Sequence, residues 1–253
     1  MQPTIYLIPS LLDEKGIHTI PPYIIESIKN CQVFFVENER TARRYLKQLW
    51  KEMVIDNYEW YTVSDVPPKA GASDTSSKHS KNSSDTLKVS DKFKQKIKEG
   101  KTIGIISEAG CPGIADPGQA LIAAAQQMNV EIKPLVGPNS ILLALMASGM
   151  NGQQFQFVGY LPIDNQHRMQ AIKELEAESK RKNCTQIFIE TPYRNNQLIE
   201  ALLKTCKPST LLCLAVDITG ENEWIKTKTI AAWKKEKTDI HKRPAIFLLL
   251  SIA

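Results

Sequence analysis

One stretch constrains this chain more than any other: Ser107-Glu-Ala-Gly-Cys-Pro-Gly-Ile-Ala-Asp-Pro-Gly118. An apolar run, Lys101-Thr-Ile-Gly-Ile-Ile106, precedes it and reads as a buried parallel strand. Gln119-Ala-Leu-Ile-Ala-Ala-Ala-Gln-Gln-Met128 follows, with the spacing and Ala/Gln content of a helix. Three glycines and two prolines at the carboxyl end of a core strand mark the place where an α/β protein holds a ligand. Glycine admits close approach of the backbone, and proline fixes the loop's shape beforehand. The loop has no Lys or Arg and lacks the Gly-Lys-Ser/Thr ending of a phosphate cradle, which argues against a nucleoside triphosphate as guest. A loop that merely turns the chain is the alternative reading of the local pattern.

The surrounding pattern says what kind of sheet carries this loop. Thr4-Ile-Tyr-Leu-Ile8 and Gln32-Val-Phe-Phe-Val36 read as buried strands, with a helix opened by Pro21-Pro22 between them and a second helix from about Glu39 to Lys51. A helix from about Ser90 to Glu99 precedes the strand at 101–106, and Glu131-Ile-Lys-Pro-Leu-Val136 continues the alternation. Such βαβ order predicts a parallel sheet covered by helices. From Pro67 to Ser90 the chain is rich in Ser, Lys, Asp and Gly, and reads as a solvated, mobile loop.

Gly137-Pro138 marks a boundary, giving domains of 1–136 and 137–253, and Asn139 is placed to cap a helix over 140–148. The second half predicts a strand at 154–159, a long charged helix over 164–182, and strands at 185–190, 210–216, 223–227 and 245–250. Little helix separates the last three, so this sheet is expected to be mixed.

Bulk properties narrow the function. The chain has 253 residues and 42% hydrophobic residues, enough for two modest domains of an ordinary globular protein. Its net charge of +5 is compatible with RNA without demonstrating it. Five scattered cysteines, with no Cys-x-x-Cys pair and no Cys/His cluster, argue for reduced thiols and against zinc. No basic region precedes the first apolar run, and no run approaches the about 20 apolar residues of a membrane span; the expectation is a cytoplasmic protein.

Several ordered motifs carry a resemblance: Ser107 to Gly118, Pro134-Leu-Val-Gly-Pro-Asn-Ser140 and Phe155-Gln-Phe-Val-Gly-Tyr-Leu-Pro162, with Glu190-Thr-Pro-Tyr-Arg194 and Ala215-Val-Asp-Ile-Thr219 in support. The chain resembles the tetrapyrrole methylase superfamily, and within it the ribosomal small-subunit RNA cytidine 2′-O-methyltransferases. That resemblance implies two α/β domains, a mainly parallel sheet followed by a mixed one, with S-adenosylmethionine in the cleft between them, in a homodimer. It implies cofactor contacts from Pro9, Ser10, Leu11 and Leu12, from Gly110, Cys111, Pro112, Gly113 and Ile114, from Ser140 and Ile141, and from Thr191, Ala215 and Ala245. An uncharged loop of backbone donors with apolar walls such as Ile114 and Ile141 suits a cofactor that has no phosphate. Core packing is the competing reading of Ile141.

The same resemblance offers Glu37 and Arg40 as catalytic candidates. A ribose hydroxyl is weakly acidic, so a base or cationic neighbour helps its proton leave. Arg40 would orient a phosphate or oppose developing oxyanion charge; Glu37 would accept a proton or hold Arg40. A solvated helix start accounts for both equally well. Asp116 either belongs to the cofactor loop or caps the helix after it. Glu190 and Arg194 are expected to bond each other or to form a surface pair. Arg40, Arg43, Arg44, Lys47 and Lys51 share one predicted helix and would track RNA, unless the face is merely solvated.

The chain also departs from the family. Ser10 stands in a first turn without glycine, Asn38-Glu39 replace Asp-Thr, Glu108 and Cys111 replace Asp and Thr, Gly220 replaces a lysine, and Arg243-Pro244-Ala245 replace Lys-Gly-Glu. These changes touch the acceptor side more than the cofactor side. Three readings follow: a methyltransferase acting on small-subunit ribosomal RNA, a methylase of a small metabolite such as a tetrapyrrole, and a non-catalytic cofactor-binding relative.

Overall fold

The computed structural model describes residues 3–63 and 83–251, and its contacts divide the chain into two units, Met1–Pro138 and Asn139–Ala253. The first unit runs β1 (Thr4–Ile8), α1 (Ile24–Lys29), β2 (Val33–Val36), α2 (Glu39–Leu49), β3 (Glu59–Thr62), α3 (Ser83–Lys98), β4 (Ile103–Ile106), α4 (Gln119–Gln127) and β5 (Glu131–Pro134). Its five strands pair in the order β3-β2-β4-β1-β5, every neighbour parallel.

Helices cover both faces of this sheet. Ile24 and Ile28 of α1 and Tyr45 and Leu46 of α2 pack with Ile8, Phe34, Val36 and Ile106. Phe93 and Ile97 of α3 and Leu121 and Ala125 of α4 pack with Ile5, Phe35, Ile103 and Ile105 on the other face. Strands buried on both faces need apolar residues at every position, which is why β2 and β4 read as unbroken apolar runs. Gly104 is the exception, and its reason is steric. A Cβ there would lie 2.7 Å from the Phe34 ring and 2.8 Å from Ile8 Cδ1.

Two expectations change here. Residues 59–62 form an edge strand that the reading by apolar runs did not mark. Its residues are half-buried, and Trp60 and Tyr61 stack on Phe34 and Phe35 across the pair at 4.9 and 5.0 Å. The polar stretch at 67–90 is helical from Ser83 onward, because Val89, Phe93 and Ile97 recur at four-residue spacing and carry the helix back from the core. The rest of that expected loop lies outside the described residues.

The second unit runs α5 (Ser140–Ser148), β6 (Phe155–Tyr160), α6 (Asn165–Lys182), β7 (Thr185–Ile189), α7 (Asn195–Thr205), β8 (Leu211–Val216), β9 (Trp224–Thr229), α8 (Ile230–Trp233) and β10 (Ala245–Leu250). Its order is β6-β7-β10-β8-β9; only β6–β7 is parallel, so the sheet is mixed. Ile172, Leu198, Leu202 and Trp233 from the three later helices pack on Phe188, Leu212, Leu214, Phe247 and Leu249. The side chains of Asn139 and Asp164 accept the first amides of α5 and α6, at 3.0–3.1 Å. Helices α7 and α8 are not among the expected elements, although Leu198, Ile199 and Leu202 carry helical spacing.

Candidate functional site

The loops after β1 and β4 leave adjacent strands toward opposite faces of the first sheet, since α1 and α4 lie on opposite faces. That opens a crevice at the carboxyl ends of the strands, the usual place for a ligand in such a sheet. The two loops are tied together. The Ser10 amide donates to Gly110 O at 2.8 Å, its hydroxyl donates to Ser107 O at 2.7 Å, and the Ser107 hydroxyl donates to Gly110 O at 3.2 Å. Both serines are buried. Ser10 thus anchors the first turn through its side chain.

Helix α2 forms the other wall. Asn38 Oδ1 accepts the amides of Arg40 and Thr41 at 3.0 and 3.3 Å, so α2 starts directly behind β2. Thr41, Arg44, Tyr45 and Gln48, at spacing i, i+3, i+4 and i+7, then share one face. With Ser10, Leu12, Ser107 and Glu108 they line a cleft of about 400 Å³. The Tyr45 hydroxyl donates to Pro9 O at 2.5 Å, and burial pushes its pKa up, keeping it a donor. Thr41 donates to Glu108 Oε1 at 2.5 Å across the cleft. Sequence reasoning missed Thr41, Tyr45 and Gln48. Their shared helix face becomes readable once Asn38 is recognised as the cap.

The catalytic candidates separate. Glu37 sits half-buried at the end of β2 and does not hold Arg40; its Oε1 accepts the Glu108 amide at 2.9 Å. Burial, and then the nearby charges of Asp116 and Glu108, raise its pKa against the lowering effect of that amide. Glu108 lines the cleft, whereas Glu37 and Arg40 do not. Arg40 is exposed, and its guanidinium makes no hydrogen bond or ion pair among the described residues. The expected basic track is shorter than its sequence suggested. Lys51 falls beyond the end of α2, Arg43 pairs with Glu39 and lies over the Trp60 ring at 5.1 Å, and Lys47 bonds the carbonyls of Lys51 and Met53. Arg44 pairs with Glu14 at 2.7 Å on the rim.

In the loop after β4, Gly110, Gly113 and Ala115 take positive φ angles of 72°, 85° and 61°. A Cβ on Gly113 would stand 2.7 Å from Ile122 Cδ1, so the backbone is bare there for both conformational and steric reasons. Asp116 does not cap α4. Its oxygens accept the amides of Gly113 and Gly118 at 2.6 Å each, locking the loop into its curve. Burial raises the Asp116 pKa, and the bonds from Gly118, Gly113 and Ile114 oppose that rise. These amides are therefore engaged inside the loop, which corrects the picture of a row of free donors. Cys111 Sγ lies 3.6 Å from Pro138 O, and Ile114 is 46% exposed.

In the second unit, pairing of Ala245 with Val216 and of Ile246 with Ile189 brings the ends of β7 and β8 and the start of β10 to one edge of the sheet. Ala215 pairs with Ile246 next to Ala245, and Thr191 lies two residues past the end of β7. Ser140 begins α5; Ile141 and Ala215 are buried. Glu190 and Arg194 are no surface pair: the Glu190 side chain is 1% exposed, and its Oε1 accepts from Arg194 Nη2 at 2.6 Å, Arg194 Nε at 3.0 Å and the Thr191 amide at 2.6 Å. Arg243 pairs with Asp217 at 2.7 Å. Among the described residues no group of three His, Cys, Asp or Glu is placed to hold a metal ion.

Comparison with known proteins places this geometry. The family model for tetrapyrrole (corrin/porphyrin) methylases matches residues 19–233. A ribosomal RNA small subunit methyltransferase I of Buchnera aphidicola is 33% identical over 172 residues, 67% of this chain and 59% of that protein. Those of Escherichia coli O157:H7 and Bacillus subtilis are 31% and 40% identical, over 61% and 42% of this chain and 54% and 35% of theirs. The chain thus spans about half the length of these relatives. In fold it resembles the methyltransferase CobJ (TM-score 0.60, 15% identity, 98% of this chain and 94% of that one). It also resembles a uroporphyrin-III C-methyltransferase of Thermus thermophilus complexed with S-adenosyl homocysteine (TM-score 0.54, 12% identity, 98% and 97%). With that family model matching residues 19–233, most of its length, the chain belongs to the tetrapyrrole methylases.

Proposed function

We propose that this chain is an S-adenosylmethionine-dependent methyltransferase that methylates a ribose 2′-hydroxyl in small-subunit ribosomal RNA. The observation that carries this reading is the 31–40% identity to ribosomal RNA small subunit methyltransferases I of three organisms. The residues fit the cofactor. The loop after β4 has no cation for a phosphate, a backbone bare at Gly113 for close approach, and apolar Leu12 and Ile114 beside it. In the first unit the proposed contacts are Pro9, Leu12, Gly110, Cys111, Pro112, Gly113 and Ile114. In the second unit they are Ser140, Ile141, Thr191, Ala215 and Ala245. When bound, the cofactor supplies an electrophilic methyl carbon.

This chain's own residues then have separate tasks. Glu108 faces the cleft beside Thr41 and takes the hydroxyl proton. Glu37 is a positioning residue, because its carboxylate holds the Glu108 amide. Arg40, exposed and with a guanidinium unpaired among the described residues, orients a backbone phosphate. The protein acts as a cytoplasmic homodimer on the small ribosomal subunit or its RNA; no described helix is long and apolar enough to cross a membrane.

The test is transfer of labelled methyl from S-adenosylmethionine to small subunits lacking the modification, with the site mapped by primer extension. Label at one ribose is expected. Label on a tetrapyrrole precursor instead, or cofactor binding with no transfer to any acceptor, overturns the assignment. Glu108→Gln should lower turnover by about 10²-fold at unchanged cofactor affinity, the scale of a lost acid–base group.

A further inference from the structure

At the strand-end edge of the second unit, Tyr193 stands 67% exposed on the short turn Pro192–Arg194, two residues past Thr191. Its ring has two neighbours from the segment leading into β10. His241 meets it edge-on, with centroids 6.1 Å apart and planes at 76°, and Lys242 Nζ lies 5.9 Å from its centroid. This segment is strongly basic: residues 234–243 hold five Lys or Arg against two acids, Glu236 and Asp239. Glu236 is paired with Lys228 at 2.5 Å, and Asp239 accepts from Asn196 Nδ2 and the His241 amide at 2.8 and 3.0 Å. Arg243 is itself paired with Asp217 at 2.7 Å, which leaves Lys234, Lys235, Lys237 and Lys242 against Asp239.

The cluster is held rigidly for a surface feature. The Lys242 amide donates to Pro192 O at 2.9 Å, the Ile240 amide to Asn196 Oδ1 at 3.0 Å, and Asn195 Nδ2 to Arg243 O at 2.6 Å. Lys242 adopts a φ of 63° to do this, a left-handed conformation that a lysine takes at a cost. A large aromatic face left open to water, flanked by imidazole and ammonium groups and fixed in advance, matches the chemistry of a base-stacking platform. Every nucleobase offers a π-face, and the cations meet the adjoining phosphates.

We infer that Tyr193, with His241 and Lys242, stacks an unpaired nucleobase of single-stranded RNA. This rests on the proposed RNA substrate and adds a contact surface that the cleft in the first unit does not supply. Paired bases are hidden in a helix, so the platform selects unpaired nucleotides.

The test is fluorescence anisotropy of the full chain with a labelled single-stranded RNA of about 12 nucleotides, a length in the range such platforms span. Tyr193→Ala should weaken binding by about tenfold or more, the scale of one lost stack, while Tyr193→Phe keeps it. Lys242→Ala should reduce the slope of log affinity against log salt by about one. The same RNA annealed to its complement should compete poorly. S-adenosylmethionine affinity, measured by calorimetry, should be unchanged in Tyr193→Ala. Equal RNA affinity of wild type and Tyr193→Ala, or loss in Tyr193→Phe as large as in Tyr193→Ala, overturns the platform. If wild type still methylates small-subunit RNA in that case, only the platform falls. Tyr193-dependent binding without methyl transfer sinks the acceptor assignment and leaves the platform standing.

Discussion

In the first unit the strand-end loops are tied down by groups aimed at the backbone: Ser10, Ser107 and Tyr45 donate to carbonyls, and Glu37 and Asp116 accept amides. At the corresponding edge of the second unit arginine side chains are the anchors, with Arg194 on buried Glu190 and Arg243 on Asp217. The difference decides how each loop fails. A neutral hydroxyl removed from a backbone carbonyl leaves one orphaned dipole, costing about 1–3 kcal/mol. Removing one member of a buried ion pair leaves a desolvated charge, which costs about 3–5 kcal/mol. The second edge is therefore the more brittle.

The largest effect should come from Glu190→Ala, which leaves Arg194 and the Thr191 amide without their shared acceptor. A loss of about 3 kcal/mol is expected, the low end for a buried pair, because Arg194 retains some contact with water. Urea unfolding measures it. A loss below about 1 kcal/mol would place this pair with ordinary surface bridges and erase the contrast.

Gly113→Val comes next and acts differently. Its Cβ approaches Ile122 Cδ1, the yielding end of a side chain, but a β-branched residue at φ 85° is strained by about 1–3 kcal/mol. The fold should survive while S-adenosylmethionine affinity in calorimetry disappears. Unchanged affinity would move the cofactor away from this loop. Tyr45→Phe, smaller again, deletes one hydroxyl from Pro9 O and should cost about 1–2 kcal/mol in the same urea assay. A cost equal to that of Glu190→Ala would show that the neutral anchors are as brittle as the charged ones.

The legibility of these features in the sequence follows from burial and from contact distance along the chain. Strands β2, β4 and β10 are buried at every position and carry no polar side chain, so they were readable at once. The edge strand β3 was not, since Glu59-Trp-Tyr-Thr62 is half-buried and carries its signal in aromatic stacking. The loop proposed to hold the cofactor stood out through Gly110, Pro112 and Gly113. What Asp116 does there was not visible, because capping and loop closure use the same residue type at nearly the same place. The contact of Glu37 with the Glu108 amide joins residues 71 apart, and only the β2–β4 pairing brings them together. Pattern rules see a helix face such as Thr41, Arg44, Tyr45 and Gln48. They do not see which strand end that face will meet.

The gentlest probe of the contrast is pH. Burial raises the pKa of both Glu37 and Asp116, so in the folded chain each holds its proton more tightly than in the unfolded one. For such a group the stabilising contribution is fully present below the unfolded value and is lost as pH rises through the folded value. The contribution of these two carboxyls to stability should therefore fall as pH rises out of the ordinary carboxylate range. Glu37→Gln keeps an oxygen for the Glu108 amide and removes the charge that burial opposes. Its stability relative to wild type should improve steadily over that window in urea unfolding measured at successive pH values. A difference between the two proteins that stays constant with pH would mean that Glu37 ionises as freely in the folded chain as in the unfolded one. The first unit's anchors would then owe nothing to a protonated carboxyl at that position.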